Sequence, residues 1–224
     1  PLRFILPHVK GLRPGWLLRL GLFLYDHIGG RKRLPATETV DLATHPAGRP
    51  LRDEFRRGFA YSDCWADDSR LVVLNARDAA DRGARIMTRS EVTELVREGG
   101  SWRIGTAKGS FRAKAIVNTA GPGAVKLLQE SGLDGGKSLR LVRGSHIVVP
   151  ALFDHPHPYF FQLPDGRIFF AIPYEEDFTL IGTTDADHTG ALGKIEPSEE
   201  EIAYLCEGAS TFFRKAVTPD DIVW

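Results

Sequence analysis

The sequence predicts an α+β fold in which an antiparallel sheet accompanies the second half of an α/β dinucleotide-binding unit. Three observations predict it. Four short runs of β-branched and aromatic residues follow one another at 145–149, 159–163, 167–172 and 178–181. Their connections are too short for a helical crossover, so they read as an antiparallel meander. Upstream, the order helix, strand, β-excursion, strand, glycine turn, helix is that of a unit whose parallel strand delivers its C-terminal end to a ligand. No Gly-x-Gly-x-x-Gly occurs in the chain, so the first half of such a unit is not encoded here. The boundaries fall at 1–64, a helical segment joined in part to the sheet, at 65–138, the half-unit, and at 139–224, the sheet domain, truncated at its C-terminal end.

Taken in order, residues 1–35 are the most apolar stretch. Pro14 and Gly15 open a helix predicted from Trp16 to about Ile28, and Gly29 and Gly30 end it. It is too short to cross a bilayer, which takes about 20 apolar residues. It reads either as a buried core helix or as a surface meeting a membrane, with Arg19, Arg31, Lys32 and Arg33 at its rim. Residues 31–58 are polar and broken by prolines, and Arg49, Arg52, Arg56 and Arg57 read as a solvated face. A strand alternates through Phe59 and Tyr61 toward Cys64. Asp67, Asp68 and Ser69 supply N-cap chemistry for a helix over 69–82, with Gly83 as its stop.

Residues 84–88 read as a short strand and 115–118 as a short, fully apolar one. Strands over 91–97 and 101–106 flank Glu98-Gly99-Gly100, a hairpin signal, and 111–113 continues them. A glycine turn at 119–123 precedes a helix over 124–131. Beyond the sheet, Ser198 starts an amphipathic helix with Ile202, Leu205, Ala209 and Phe212 on one face, and 220–224 begins a further strand.

Composition narrows the function. A net charge of zero argues against nucleic acid, whose binding by phosphate neutralisation needs a basic excess. Two cysteines, Cys64 and Cys206, make no disulfide framework and no metal cluster, and fit a reducing compartment. The chain starts at Pro1 without a signal peptide and stops at Trp224 inside an apolar run, so it reads as an internal segment of a longer protein.

Three clusters carry chemistry. Ala120, Gly121 and Pro122 follow an apolar strand, where a small turn lets backbone N–H groups approach a phosphate or a planar ring, or simply joins strand to helix. Arg143, Gly144, Ser145 and His146 open the sheet; a guanidinium holds a phosphate bidentately and an imidazole is a general base, although a histidine in a strand is often structural. Gly182, Thr183, Thr184 and Asp185 close the sheet, where two hydroxyls and a carboxylate either bind a polyol or cap their own backbone. A four-strand meander returns the chain to the edge it left, so the two ends can flank one site. His155 and His157 lack a third ligand and do not make a metal site.

These residues also carry a resemblance. PLRFILPH, LRPGWLLRLGLFLYDHIGGRK, RGFAYSDCWADDSRLVVLNA, AIVNTAGP, RGSHIVVP, IPYEEDFTLIGTTD and DDIVW resemble, in family order and over essentially the whole chain, segments of the FAD-dependent (respiratory) glycerol-3-phosphate dehydrogenases. The resemblance implies a glycine/D-amino-acid oxidase-like fold, with an FAD-binding domain and an antiparallel-sheet substrate domain. It implies oxidation of sn-glycerol 3-phosphate to dihydroxyacetone phosphate, with FAD as cofactor and quinone as acceptor. It further implies a peripheral seat on the inner face of the cell membrane. His146, Thr184 and Asp185 then match active-site positions, with Arg143 and Ser145 on the substrate. Val92 matches a position at the adenine end of the cofactor, and Ala120, Gly121 and Pro122 a flavin-proximal turn. The departures are the pyrophosphate-binding turn, expected before Pro1, and a Gly-Val-Arg-Pro segment, whose arginine is expected to bind the substrate phosphate, expected after Trp224. The segment alone is therefore expected to hold FAD weakly and to turn nothing over. An oxygen-using glycerophosphate oxidase and a non-catalytic interaction module are the rival readings. Apolar edges at the two ends also predict a tendency to associate.

Overall fold

A computed structural model describes residues 2–28, 33–133, 136, 138–191, 193 and 195–224. In chain order the elements are β1 (Leu2–Pro7), α1 (Gly15–His27), β2 (Glu38–Asp41), β3 (Arg57–Asp63), α2 (Asp68–Asp81), β4 (Val92–Glu98), β5 (Ser101–Thr106), β6 (Gly109–Ala113), α3 (Ala124–Glu130), β7 (Val142–Arg143), β8 (His146–Pro150), β9 (Tyr159–Gln162), β10 (Ile168–Tyr174), β11 (Phe178–Gly182), β12 (Ala186–Asp187) and α4 (Glu199–Phe212). They form two compact units. The first comprises Pro1–Trp65, Arg143–Ala186 and Glu196–Trp224, and the second Ala66–Val142 and Asp187–Ile195.

The first unit is a seven-stranded sheet in the order β2-β3-β1-β9-β10-β11-β8. Every neighbour is antiparallel except β1 and β9, which run parallel at Ile5 and Tyr159. This corrects the meander. β8 does not pair with β9; it lies beside β11, with His146 opposite Gly182 and Val148 opposite Leu180. The arrangement is a Greek key. Its cause lies far upstream, since β1 occupies the edge of β9 that a meander would give to β8. The proline-bearing 151–158 segment supplies the crossing.

One face of this sheet packs on α4. Leu205, Ala209 and Phe212 are buried, as the helical spacing predicts. Phe161 sits between Phe212 at 4.2 Å and Phe169 at 5.0 Å, ring centre to ring centre. Burying each such side chain is worth roughly 1.5–3 kcal/mol. Ser198 caps α4, and Glu201 returns the bond to the Ser198 amide, closing a capping box.

α1 is not the buried core helix that was one of its two readings. None of its residues is buried, and Trp16 is 70% exposed. Its apolar side chains run almost all round, so one packing face cannot cover them. Gly29 and Gly30, expected to end it, and Arg31 and Lys32 of its rim lie outside the described residues.

In the second unit β4, β5 and β6 form an antiparallel sheet, with Gly99 and Gly100 both at positive φ in the β4–β5 turn, as a two-residue hairpin requires. Asp67 caps α2 by accepting from the Arg70 amide at 3.0 Å. The strands expected at 84–88 and 115–118 are not formed. A strand exists through its ladder, and neither segment has a strand partner among the described residues. The strand expected at 220–224 is reduced to backbone bonds between Val148 and the pair Val223 and Trp224.

Candidate functional site

The β8–β11 pairing brings the two sheet ends together more tightly than a meander could. His146 starts β8 directly opposite Gly182, the last residue of β11. Its imidazole lies over the bare Cα there: a Cβ on Gly182 would fall 2.1 Å from His146 Cδ2. Gly144 has the matching role, since a Cβ on it would fall 2.3 Å from Thr183 Oγ1. Close approach, not turn geometry, requires these two glycines.

Below them is a buried carboxylate that the sequence reading missed. Glu201 Oε1 accepts from Thr184 Oγ1 at 2.7 Å and from Ser145 Oγ at 3.0 Å. Its Oε2 accepts from the Ser198 amide at 2.9 Å and pairs with Arg143 Nη2 at 2.7 Å. Thr184 Oγ1 in turn accepts from the Ser145 amide at 2.8 Å. Burial alone would raise the Glu201 carboxyl; the Ser198 amide, the two hydroxyls and Arg143 outweigh it and bring it down to about 2. The sequence did hold one signal, since Ser198 and Glu201 stand at capping-box spacing. Nothing local pointed from that box to Arg143, Ser145 and Thr184.

The predicted residues therefore differ in availability. Thr184 is buried with its hydroxyl committed to Glu201. Arg143 is tied through Nη2, and its Nε is buried without a partner. Asp185 is exposed. His146 has no side-chain partner among the described residues: burial lowers its pKa and a hydrogen bond to the Gly144 backbone only partly offsets this, which favours the neutral ring, able to accept a proton.

The residues expected to meet the cofactor lie in the second unit. Val92 opens β4 opposite Thr106, beside a bulge. The Ala120 amide donates to Asn118 Oδ1 at 3.1 Å, and Asn118 Nδ2 donates to the Ala124 carbonyl at 3.0 Å, so one asparagine side chain braces the turn. Gly121 has φ +54°, is exposed with Pro122, and has nothing within 4 Å of where a Cβ would stand. An open, braced, glycine-bearing turn fits a planar ring resting on its backbone. The chain has no Gly-x-Gly-x-x-Gly to hold a pyrophosphate.

Residues 10–224 match the DAO family model, described as FAD dependent oxidoreductase. The whole chain is 44% identical to D-erythritol 1-phosphate dehydrogenase of Brucella abortus, covering 46% of that protein. It is also 44% identical over its whole length to glycerol-3-phosphate dehydrogenase of Pseudomonas aeruginosa, covering 44% of it. The chain thus spans about half the length of the curated relatives it matches. Among solved structures it is similar to the FAD complex of glycerol-3-phosphate dehydrogenase from Bacillus halodurans, with a TM-score of 0.69 and 24% identity over 99% of this chain and 42% of that one. That likeness establishes the fold.

Proposed function

The chain belongs to the FAD-dependent oxidoreductase family, and from that premise we propose that it supplies the substrate-facing sheet of a flavoenzyme that oxidises sn-glycerol 3-phosphate to dihydroxyacetone phosphate. One observation carries this reading. Two relatives, each 44% identical across the whole chain, are named as dehydrogenases of a phosphorylated polyol.

FAD, when bound, supplies the acceptor for the hydride leaving C2 of the substrate. The chain's own part is to take the proton and hold the geometry. His146, its neutral ring favoured by burial, accepts the C2 hydroxyl proton. Glu201 positions it indirectly by fixing Ser145 and Thr184, the residues that join the two strand ends. Asp185, exposed at the same end, orients the base or the substrate hydroxyls. Arg143, with Nη2 held by Glu201, offers Nη1 to the substrate phosphate, and Ser145, which would meet the substrate beside it, exchanges its hydroxyl bond from Glu201 to do so. Ala120, Gly121, Pro122 and Val92 are the residues of this chain that would hold the cofactor.

Quinone as acceptor, with a peripheral seat on the inner membrane face, is supported by α1. Its Trp16 and Phe23, and Ile28 just beyond its end, are exposed. A cavity of about 500 Å³ lined by Leu17, Leu20, Leu24, Tyr25, Tyr61 and Phe160 lies beneath it. Among the described residues no helix is long and apolar enough to cross a membrane. A second substrate, D-erythritol 1-phosphate, is favoured by the Brucella relative.

The test uses the full-length natural protein without oxygen. Its flavin absorbance should bleach on adding glycerol 3-phosphate, and His146→Ala should slow bleaching by about 10²–10⁴-fold. Bleaching by erythritol 1-phosphate alone moves the substrate to the second reading. Hydrogen peroxide release in air would replace quinone by oxygen. A colourless protein, inert after FAD is added, would leave only a binding module.

A further inference from the structure

A second site stands apart from His146 in the first unit. The segment between β2 and β3 folds back on the end of α4. The Arg52 amide donates to the Phe212 carbonyl at 2.9 Å and the Arg214 amide to the Pro50 carbonyl at 2.9 Å, while Leu51 bridges Phe213. Gly48 is pressed so close that a Cβ there would lie 1.7 Å from the Leu42 carbonyl oxygen. The fold-back is therefore built, and it encloses a cleft of about 440 Å³.

The floor of the cleft is Leu42 and Phe55, both buried, and its wall carries Arg49, Arg52, Arg56 and Arg214 against the one carboxylate of Asp53. Asp53 is already used. Arg214 grips both of its oxygens, Nη2 to Oδ1 at 2.5 Å and Nη1 to Oδ2 at 3.3 Å, and donates its Nε to the Arg49 carbonyl at 3.0 Å. Among the described residues the Arg52 side chain is tethered only through Nε, to the Phe213 carbonyl at 3.4 Å. Arg56 acts on Asp53 only through space. The Arg49 side chain makes no hydrogen bond or ion pair among the described residues. Three guanidiniums thus line one cleft without a directly bonded carboxylate among the described residues, in a chain whose net charge is zero. Elsewhere in the same unit Arg3 and Arg167 each have their own carboxylate, Glu38 and Asp165.

We propose that this arginine-lined cleft binds a small molecule carrying a multiply charged phosphate group. Guanidinium forks match phosphate oxygens two at a time, and three of them suit a pyrophosphate-class anion better than a single carboxylate. The volume exceeds what one phosphate needs and is in the range of small-molecule sites. The apolar floor accepts a carbon body. Such a group comes either from a free phosphorylated metabolite or from an anionic lipid headgroup.

The test is calorimetric titration of the protein with inorganic pyrophosphate, beside co-sedimentation with phosphatidylglycerol and with phosphatidylcholine vesicles. Saturable one-to-one binding of pyrophosphate is expected. Arg49→Lys and Arg56→Lys keep the charge but lose the fork, and each should weaken it about tenfold. Asp53→Asn should tighten it, and Arg97→Gln on β4 should leave it unchanged. Thermal melts check that the variants fold. Binding to phosphatidylglycerol vesicles that pyrophosphate displaces, and that the lysine variants lose, assigns the headgroup as the source; pyrophosphate binding without it assigns the metabolite. No saturable binding of either probe, or affinities unmoved by the lysine variants, overturns the site.

Discussion

Two apolar runs of nearly the same composition have opposite fates in this chain. In the first unit Ile147, Val148 and Val149 of β8 are 1%, 3% and 0% exposed. In the second unit Leu71, Val72, Val73 and Leu74 of α2 are 52%, 67%, 63% and 52% exposed. The difference does not lie in the residues. β8 has β11 on its edge and the Phe161 cluster in the core beneath its sheet. α2 has no buried residue, and the segments that would pair as parallel strands in its unit are not strands. An apolar run specifies what ought to be covered; its partners decide whether it is.

The largest test of that contrast is Phe161→Ala. The ring is fully buried against Phe212, Phe169 and Tyr159. Removing it leaves a cavity that a closely packed sheet cannot close, and a loss of about 3–5 kcal/mol is expected in urea denaturation. A loss below about 1 kcal/mol would mean that the core of the first unit is loosely packed.

Next comes Glu201. Replacing it by Gln removes the partner of Arg143 and leaves a half-buried charge unmatched, at a cost of roughly 1–3 kcal/mol. The acid limb of stability should change with it. The folded-state carboxyl lies near 2, below the unfolded value of about 4.3, so the folded state binds fewer protons. Its stabilisation is complete above the unfolded value and is lost as pH falls toward 2. Denaturation midpoints measured between neutral and acid pH should drop less steeply in Glu201→Gln than in the unaltered protein. Parallel curves would show that the carboxylate contributes no such term.

These residues also separate what was legible in the sequence from what was not. Ser198, Asp67 and the Gly99-Gly100 turn act on backbone within three or four residues, so caps and hairpin could be read directly. His146 and Gly182 were marked as sheet ends, but their pairing depends on β1 taking the edge of β9, a contact set more than a hundred residues upstream. Glu201 was hidden for the same reason, because its ligands come from Arg143, Ser145, Thr184 and Ser198. Residues 84–88 and 115–118 carry strand propensity, but no described strand offers them a ladder, and propensity alone does not make a strand.

The smallest expected effect is the most diagnostic for the second unit. Val72 is 67% exposed in the middle of α2, and valine and serine have similar helix propensities. If α2 meets only solvent, Val72→Ser removes no packing, and stability should move by less than about 0.5 kcal/mol. The measurement is the urea midpoint followed by helix circular dichroism at several protein concentrations. A loss above about 1.5 kcal/mol would require that the Leu71–Leu74 face is covered in solution. If that loss also grew with protein concentration, the cover would be another copy of the chain, since only association ties stability to concentration. The contrast between β8 and α2 would then describe which partners are covalently at hand, and not which of the two runs is meant to be buried.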